Sequence, residues 1–119
     1  MKKKKIEIMD TTLRDGEQTS GMSFSEDEKL TISKLLLKEL RVDRIEVASA
    51  RVSSGEFKAV SKIIDWATSE NLENKVEILT FIDNGISIDW MKKSGAKVQN
   101  LLSKAVSYTH LTLPTKCWV

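Results

Sequence analysis

Two rhythms of apolar residues alternate along this chain. Short runs rich in branched side chains come first, and each is followed by a stretch where apolar residues recur every three or four positions. Residues 6–9 form the first run, with Ile6, Ile8 and Met9 around Glu7. A long irregular loop is expected from there to about residue 25. Ser25 and Glu28 then have capping-box spacing, with Glu26 and Asp27 at the positive end of a helix dipole. The spacing predicts a helix to about residue 40, with Leu36, Leu37 and Leu40 as its apolar stripe and Lys34, Lys38 and Glu39 in water. A strand over 44–48 follows. Ser53 and Glu56 repeat the capping spacing, and Phe57, Val60, Ile63, Ile64 and Ala67 give a helix ending near Ser69. A third strand is predicted over 75–82. Asn84-Gly85 marks a turn, 88–93 a short helix stopped by Gly95, and 97–102 a fourth strand.

Strand and helix therefore alternate, four strands with three helices between them. Such alternation predicts an α/β fold with a parallel sheet covered by right-handed crossovers. An open doubly wound sheet and a (β/α)8 barrel share this pattern. A complete barrel takes about 250 residues, whereas the chain has 119.

Composition narrows the function classes. The chain carries 19 basic and 17 acidic residues, net +2, and four of the basic ones are the run Lys2 to Lys5. Outside that run the balance is slightly acidic, so no nucleic-acid partner is expected; the run reads as a solvated extension. No stretch approaches the roughly 18 apolar residues of a membrane span, and the patch Ile6, Ile8 and Met9, broken by Glu7, does not read as a signal peptide. The single cysteine, Cys117, has no partner in the chain, which fits a reducing, cytoplasmic setting.

Candidate chemistry is concentrated in Asp10-Thr11-Thr12-Leu13-Arg14-Asp15-Gly16-Glu17-Gln18. Ligands of α/β folds gather at the carboxyl ends of the strands. Arg14, Asp15 and Gln18 follow strand one, residues 46–51 end strand two, and residues 81–84 end strand three. Asp15 is a hard oxygen ligand suited to Mg²⁺ or Mn²⁺, or to a mixed site with histidines. Arg14 offers a planar, permanently charged fork for a carboxylate or a developing oxyanion. Gln18 can donate and accept in the same pocket.

With Gly21 and Phe24, this string resembles the signature of the metal-dependent acyltransferase and lyase barrels. That family includes isopropylmalate, homocitrate and citramalate synthases and hydroxymethylglutaryl-CoA lyase. The resemblance continues through residues 42–53 and 95–98 and covers residues 6–104. It implies the N-terminal part of a TIM (β/α)8 barrel over residues 1–104. Residues 105–119 are read as a foreign tail, because 107–115 look like a translated sequencing adapter.

By the same resemblance, Arg14 is the catalytic arginine that holds the 2-oxo acid and steadies its enolate and alkoxide oxygens. Asp15 is a metal ligand and substrate contact, Gln18 a pocket amide, and Glu46 an acidic residue lining the pocket, whose plainer role is a salt bridge in the barrel mouth. The string Ala48 to Ser53 looks most like the citramalate synthase branch, and its last four residues argue against the lyase branch. Leu79 and Leu102 fall where the citramalate branch places leucines around the pyruvate methyl group; as barrel residues they would otherwise be plain core. The implied reaction condenses acetyl-CoA with pyruvate, in branched-chain amino-acid (isoleucine) biosynthesis, with 2-isopropylmalate synthase (2-oxoisovalerate, leucine biosynthesis) as the alternative. The implied cofactor is a divalent metal, Mg or Mn favoured over Zn, with acetyl-CoA as co-substrate and a homodimer for the full-length protein.

The family completes its metal site with a His-x-His pair on a later strand, and the sole histidine here is His110. The expectation is therefore an inactive, poorly folded polypeptide, since an unclosed barrel leaves sheet edges uncovered. A different class competes with this reading: a small, complete α/β module that binds an anion at the Arg14–Asp15 loop without catalysis.

Overall fold

The computed structural model describes residues 4–18, 20–51 and 53–103. Its elements are β1 (Met9–Asp10), α1 (Glu26–Lys34), β2 (Arg44–Ser49), α2 (Ser54–Ser69), β3 (Val76–Phe81), α3 (Ile86–Ser94) and β4 (Val98–Leu102). All three strand pairings are parallel and the spatial order is β1-β2-β3-β4. That order decides between the two architectures the pattern left open. A doubly wound sheet reverses direction at a switch point and carries helices on both faces. Here each strand lies beside its predecessor, and right-handed crossovers put α1, α2 and α3 on one face. This is the N-terminal part of a (β/α)8 barrel.

The core lies between that helical layer and the sheet. Ile45, Val47, Ala48, Val76 and Ile78 point into it from the strands, and Val60, Ile63, Ile64 and Ala67 meet them from α2. Phe57 and Trp90 join α2 to α3 edge to face, with ring centroids 5.4 Å apart. Among the described residues no helix is long and apolar enough to cross a membrane.

Helix ends follow their sequence signals. Ser25 accepts from the Glu28 amide at 3.1 Å, and the Glu28 carboxylate accepts from the Ser25 amide at 2.8 Å. Ser53 caps α2 through the Glu56 amide, but the Glu56 side chain turns instead to Lys29. Asn84 and Gly85 both take left-handed φ, 59° and 85°. Gly95, at φ 92°, ends α3.

Two expectations need correction. Strand one pairs only over Met9–Asp10, while Ile6 and Ile8 are exposed. Among the described residues it pairs with β2 alone; at Ile8 the amide turns to the Asp43 carboxylate and the carbonyl accepts from the Asp43 and Arg44 amides, which closes the ladder there. Leu40 leaves the apolar stripe and is 70% exposed. The cause is a wide turn over Leu35–Glu39, in which the Leu40 amide bonds back five residues to the Leu35 carbonyl. Each such turn holds more residues than an α turn, so Leu40 rotates away from Leu36 and Leu37. The C-terminal tail, with His110 and Cys117, lies outside the described residues.

Candidate functional site

Residues opposite one another in a parallel pair share a face of the sheet. Met9 pairs with Arg44, Glu46 with Glu77, Leu79 with Asn100, and Phe81 with Leu102. These residues line the face turned away from the helices. A bulge follows Glu46: the next paired residue is Ala48, opposite Ile78, and then Ser49 opposite Leu79. The extra residue lets Val47 and Ala48 both enter the helix-side core while Glu46 and Ser49 stay on the open face.

The loop after β1 is closed by its own backbone. Asp10 accepts from the Thr12 amide at 2.8 Å, and the Thr11 carbonyl accepts the amides of Arg14, Asp15 and Gly16 at 3.1, 2.7 and 3.2 Å. A single helical turn, Gly16–Gln18, completes it. So the long loop is not irregular at its start. Leu13 is buried in the core, which points the next residue, Arg14, over the open face.

Arg14 Nε donates to Glu46 Oε1 at 2.6 Å, and Asn100 Nδ2 donates to Glu46 Oε2, also at 2.6 Å. Arg14 Nη1 lies 3.5 Å from Asp15 Oδ1. Glu46 is buried, Arg14 half-buried and Asp15 exposed. The carboxylate on β2 thus fixes the inner edge of the guanidinium while Asp15 lies beside Nη1, so an anion meets the terminal nitrogens in competition with Asp15.

Each expected site residue can now be placed. Arg14, Asp15 and Glu46 come together. Leu79 and Leu102 are half-buried on the same face as Glu46. Gln18 is exposed at the end of its turn and stands outside the Arg14–Glu46–Asn100 network. Asn100 is the residue that sequence reading missed; within the strand-like run 97–102 its only signal was a polar residue between Val98 and Leu102.

A second ion pair sits at the ends of β2 and β3. Arg51, in the left-handed region at φ 67°, donates to Asp83 at 2.9 Å. Asp83 also accepts from the hydroxyl and the amide of Ser87 at the start of α3. Those two Ser87 bonds, joined by Arg51, lower the Asp83 carboxyl to about 2.

Asp15 supplies one possible metal ligand. Among the described residues no group of three or more His, Cys, Asp and Glu side chains is placed to hold a metal ion. The described residues therefore do not by themselves fit the metal that the signature implies. The charge balance matters as well: one guanidinium faces two carboxylates, so the cluster is net negative.

The pattern of the HMGL-like family matches residues 5–89. The chain belongs to the HMGL-like family. A 2-isopropylmalate synthase of Aliarcobacter butzleri is 38% identical over 97% of this chain and 20% of its own length. One of Sulfurisphaera tokodaii is 41% identical over 71% of the chain and 23% of its length. One of Pyrococcus abyssi is 57% identical over 50% of the chain and 12% of its length. The chain thus spans less than a quarter of these relatives. Their names favour the 2-isopropylmalate alternative over the citramalate reading drawn from the Ala48–Ser53 string.

Proposed function

We propose that this chain is the opening part of the catalytic barrel of an acyl-CoA-dependent synthase of the 2-isopropylmalate kind. The reaction condenses acetyl-CoA with 2-oxoisovalerate in leucine biosynthesis. The enolate of the acetyl group attacks the ketone carbon, and water then releases CoA. Arg14 meets the 2-oxo acid through its carboxylate and steadies the oxygen that becomes negative. Glu46 holds Arg14 in that orientation, Asp15 contributes one oxygen toward a divalent metal, and Gln18 lines the rim. Remaining metal ligands and the general base come from outside the described residues. A cytoplasmic homodimer accompanies this reading for the full-length protein.

The observation that carries it is the Arg14–Glu46 bond, which joins the loop after β1 to the open face of β2 in a sequentially ordered parallel sheet. The same cluster speaks against an anion-binding module that works alone. With Asp15 and Glu46 both beside Arg14, a free 2-oxo acid meets net negative charge, and an added cation is needed to favour it.

A second substrate reading rests on Leu79 and Leu102, which share the Glu46 face. Two leucines there narrow the pocket toward pyruvate, giving citramalate in isoleucine biosynthesis. Such discrimination is small, about 1–3 kcal/mol per methylene.

Replacing the matching segment of the Aliarcobacter butzleri enzyme with residues 4–103 of this chain tests the proposal. CoA release with 2-oxoisovalerate above that with pyruvate supports the first reading, and the reverse supports the second. A folded chimera that releases CoA with neither, while the parent enzyme does, overturns both.

A further inference from the structure

We infer that Lys29 is a positioning residue for the Arg14–Asp15 turn and acts through Glu17. Lys29 lies in the first half of α1 and is only 2% exposed. A lysine that deep is costly unless its charge is met. Its ammonium donates to Glu17 Oε1 at 2.7 Å and to Glu56 Oε1 on α2. Glu17 is held at its other oxygen too, where Oε2 accepts from the Phe24 amide at 2.9 Å.

The consequence lies in where Glu17 sits. Leu13, 1% exposed, anchors one flank of the turn in the core. Glu17, four residues on, anchors the other. Arg14 and Asp15 lie between them. The turn is closed internally by the Thr11 carbonyl and by the Gln18 amide on the Asp15 carbonyl, so it behaves as one rigid piece. β1 and Leu13 fix the start of that piece, and Glu46 holds only the Arg14 side chain, so its far end at Gly16–Gln18 can still swing. Glu17 supplies the second point, and Lys29 ties that point to α1 and α2 together. Burial pushes the Glu56 carboxyl above its usual range against the pull of Lys29. Glu17, with one oxygen on Lys29 and the other on the Phe24 amide, is the partner that transmits to the turn. The functional weight of this arrangement rests on the reading of Arg14 as the group that meets the 2-oxo acid.

The test is amide and guanidinium hydrogen exchange by NMR on the whole 119-residue chain. The Arg14 Nε–H reports the turn, and the amides of Ile45, Val47 and Ile78 report the sheet. In Lys29→Met, Arg14 Nε–H is expected to exchange at least about tenfold faster while the sheet amides stay protected. Lys29→Arg should restore slow exchange, and Glu56→Gln should leave it slow. Arg14 exchange within about twofold of the parent in Lys29→Met, with the sheet intact, overturns the inference. If Lys29→Met loses the sheet as well, Glu17→Met decides: it removes both acceptor oxygens, cuts the tether and leaves Lys29 its Glu56 partner. Faster Arg14 exchange there supports the inference, and unchanged exchange overturns it. No substrate enters this experiment, so failure of the synthase reading shows separately, in the chimera.

Discussion

Glu46 Oε1 receives the Nε–H of Arg14 across 2.6 Å, and the partner oxygen receives Asn100 at the same distance. One buried carboxylate therefore links the first loop, β2 and β4. Glu46→Gln keeps the shape and removes the charge that shortens both bonds. The expected cost is about 1–3 kcal/mol, the range for losing a charged hydrogen-bond partner. A lowered urea midpoint at an unchanged slope is the signature. An unchanged midpoint would mean that Arg14 is held by something other than Glu46.

Asn100→Asp places a second carboxylate against Glu46. Two like charges at that separation do not both ionise readily, so the folded pair retains a proton that the unfolded chain has given up. A group with a raised folded pKa stabilises below its unfolded value and loses that advantage as pH rises. The variant should therefore approach parental stability near pH 4 and fall behind it by neutrality. Thermal melts across that interval check it; a constant deficit at every pH would contradict it.

Asp83 gives the opposite pH dependence. Its carboxyl lies at about 2 in the fold against an ordinary 3.8, held there by Ser87 and then Arg51. A depressed acid contributes stability that is present above the unfolded value and lost as pH falls through the folded one. That loss should run from about pH 4 down to about pH 2. Ser87→Ala should move the Asp83 titration, followed by carboxyl carbon NMR, back toward the ordinary value. Asp83→Asn should flatten the melting profile in that window.

Gly95→Ala meets two obstacles. The residue lies at φ 92°, and an added Cβ would come within 3.2 Å of Ile64 Cγ2. Left-handed backbone costs a side chain about 1–2 kcal/mol, and Ile64 is packed in the core. The expected loss is at least about 1 kcal/mol, read as a lower urea midpoint. No loss would show that α3 ends differently.

Local signals carried most of the architecture. The Ser25–Glu28 box, the Asn84-Gly85 turn and the Gly95 stop are short-range chemistry and took the predicted form, while at Ser53 only the hydroxyl half of the box formed, because Glu56 is drawn to Lys29. The α2 stripe of Val60, Ile63, Ile64 and Ala67 was legible because its period is unbroken over about two turns. Leu40 failed because the wide turn at Leu35–Glu39 changes the period without any Gly or Pro to announce it. Arg14 and Asp15 stood out by residue type and by their place after β1, and Glu46 through the family resemblance; the structure brings the three together. Asn100 was not legible, since its role depends on lying two strands from Glu46. Lys29 was hidden for a similar reason: on a helical wheel it reads as a solvated lysine, and only the meeting of Glu17 and Glu56 buries it.

The most direct measurement of the central claim is kcat/KM for 2-oxoisovalerate in the chimera with Arg14 and with Arg14→Lys. Lysine keeps the charge and loses the planar fork and the Nε bond to Glu46. A drop of at least about 100-fold is predicted, comparable to losing one oxyanion donor, with the melting temperature little changed. Equal activity in the two proteins would remove Arg14 from the chemistry and with it the site described above.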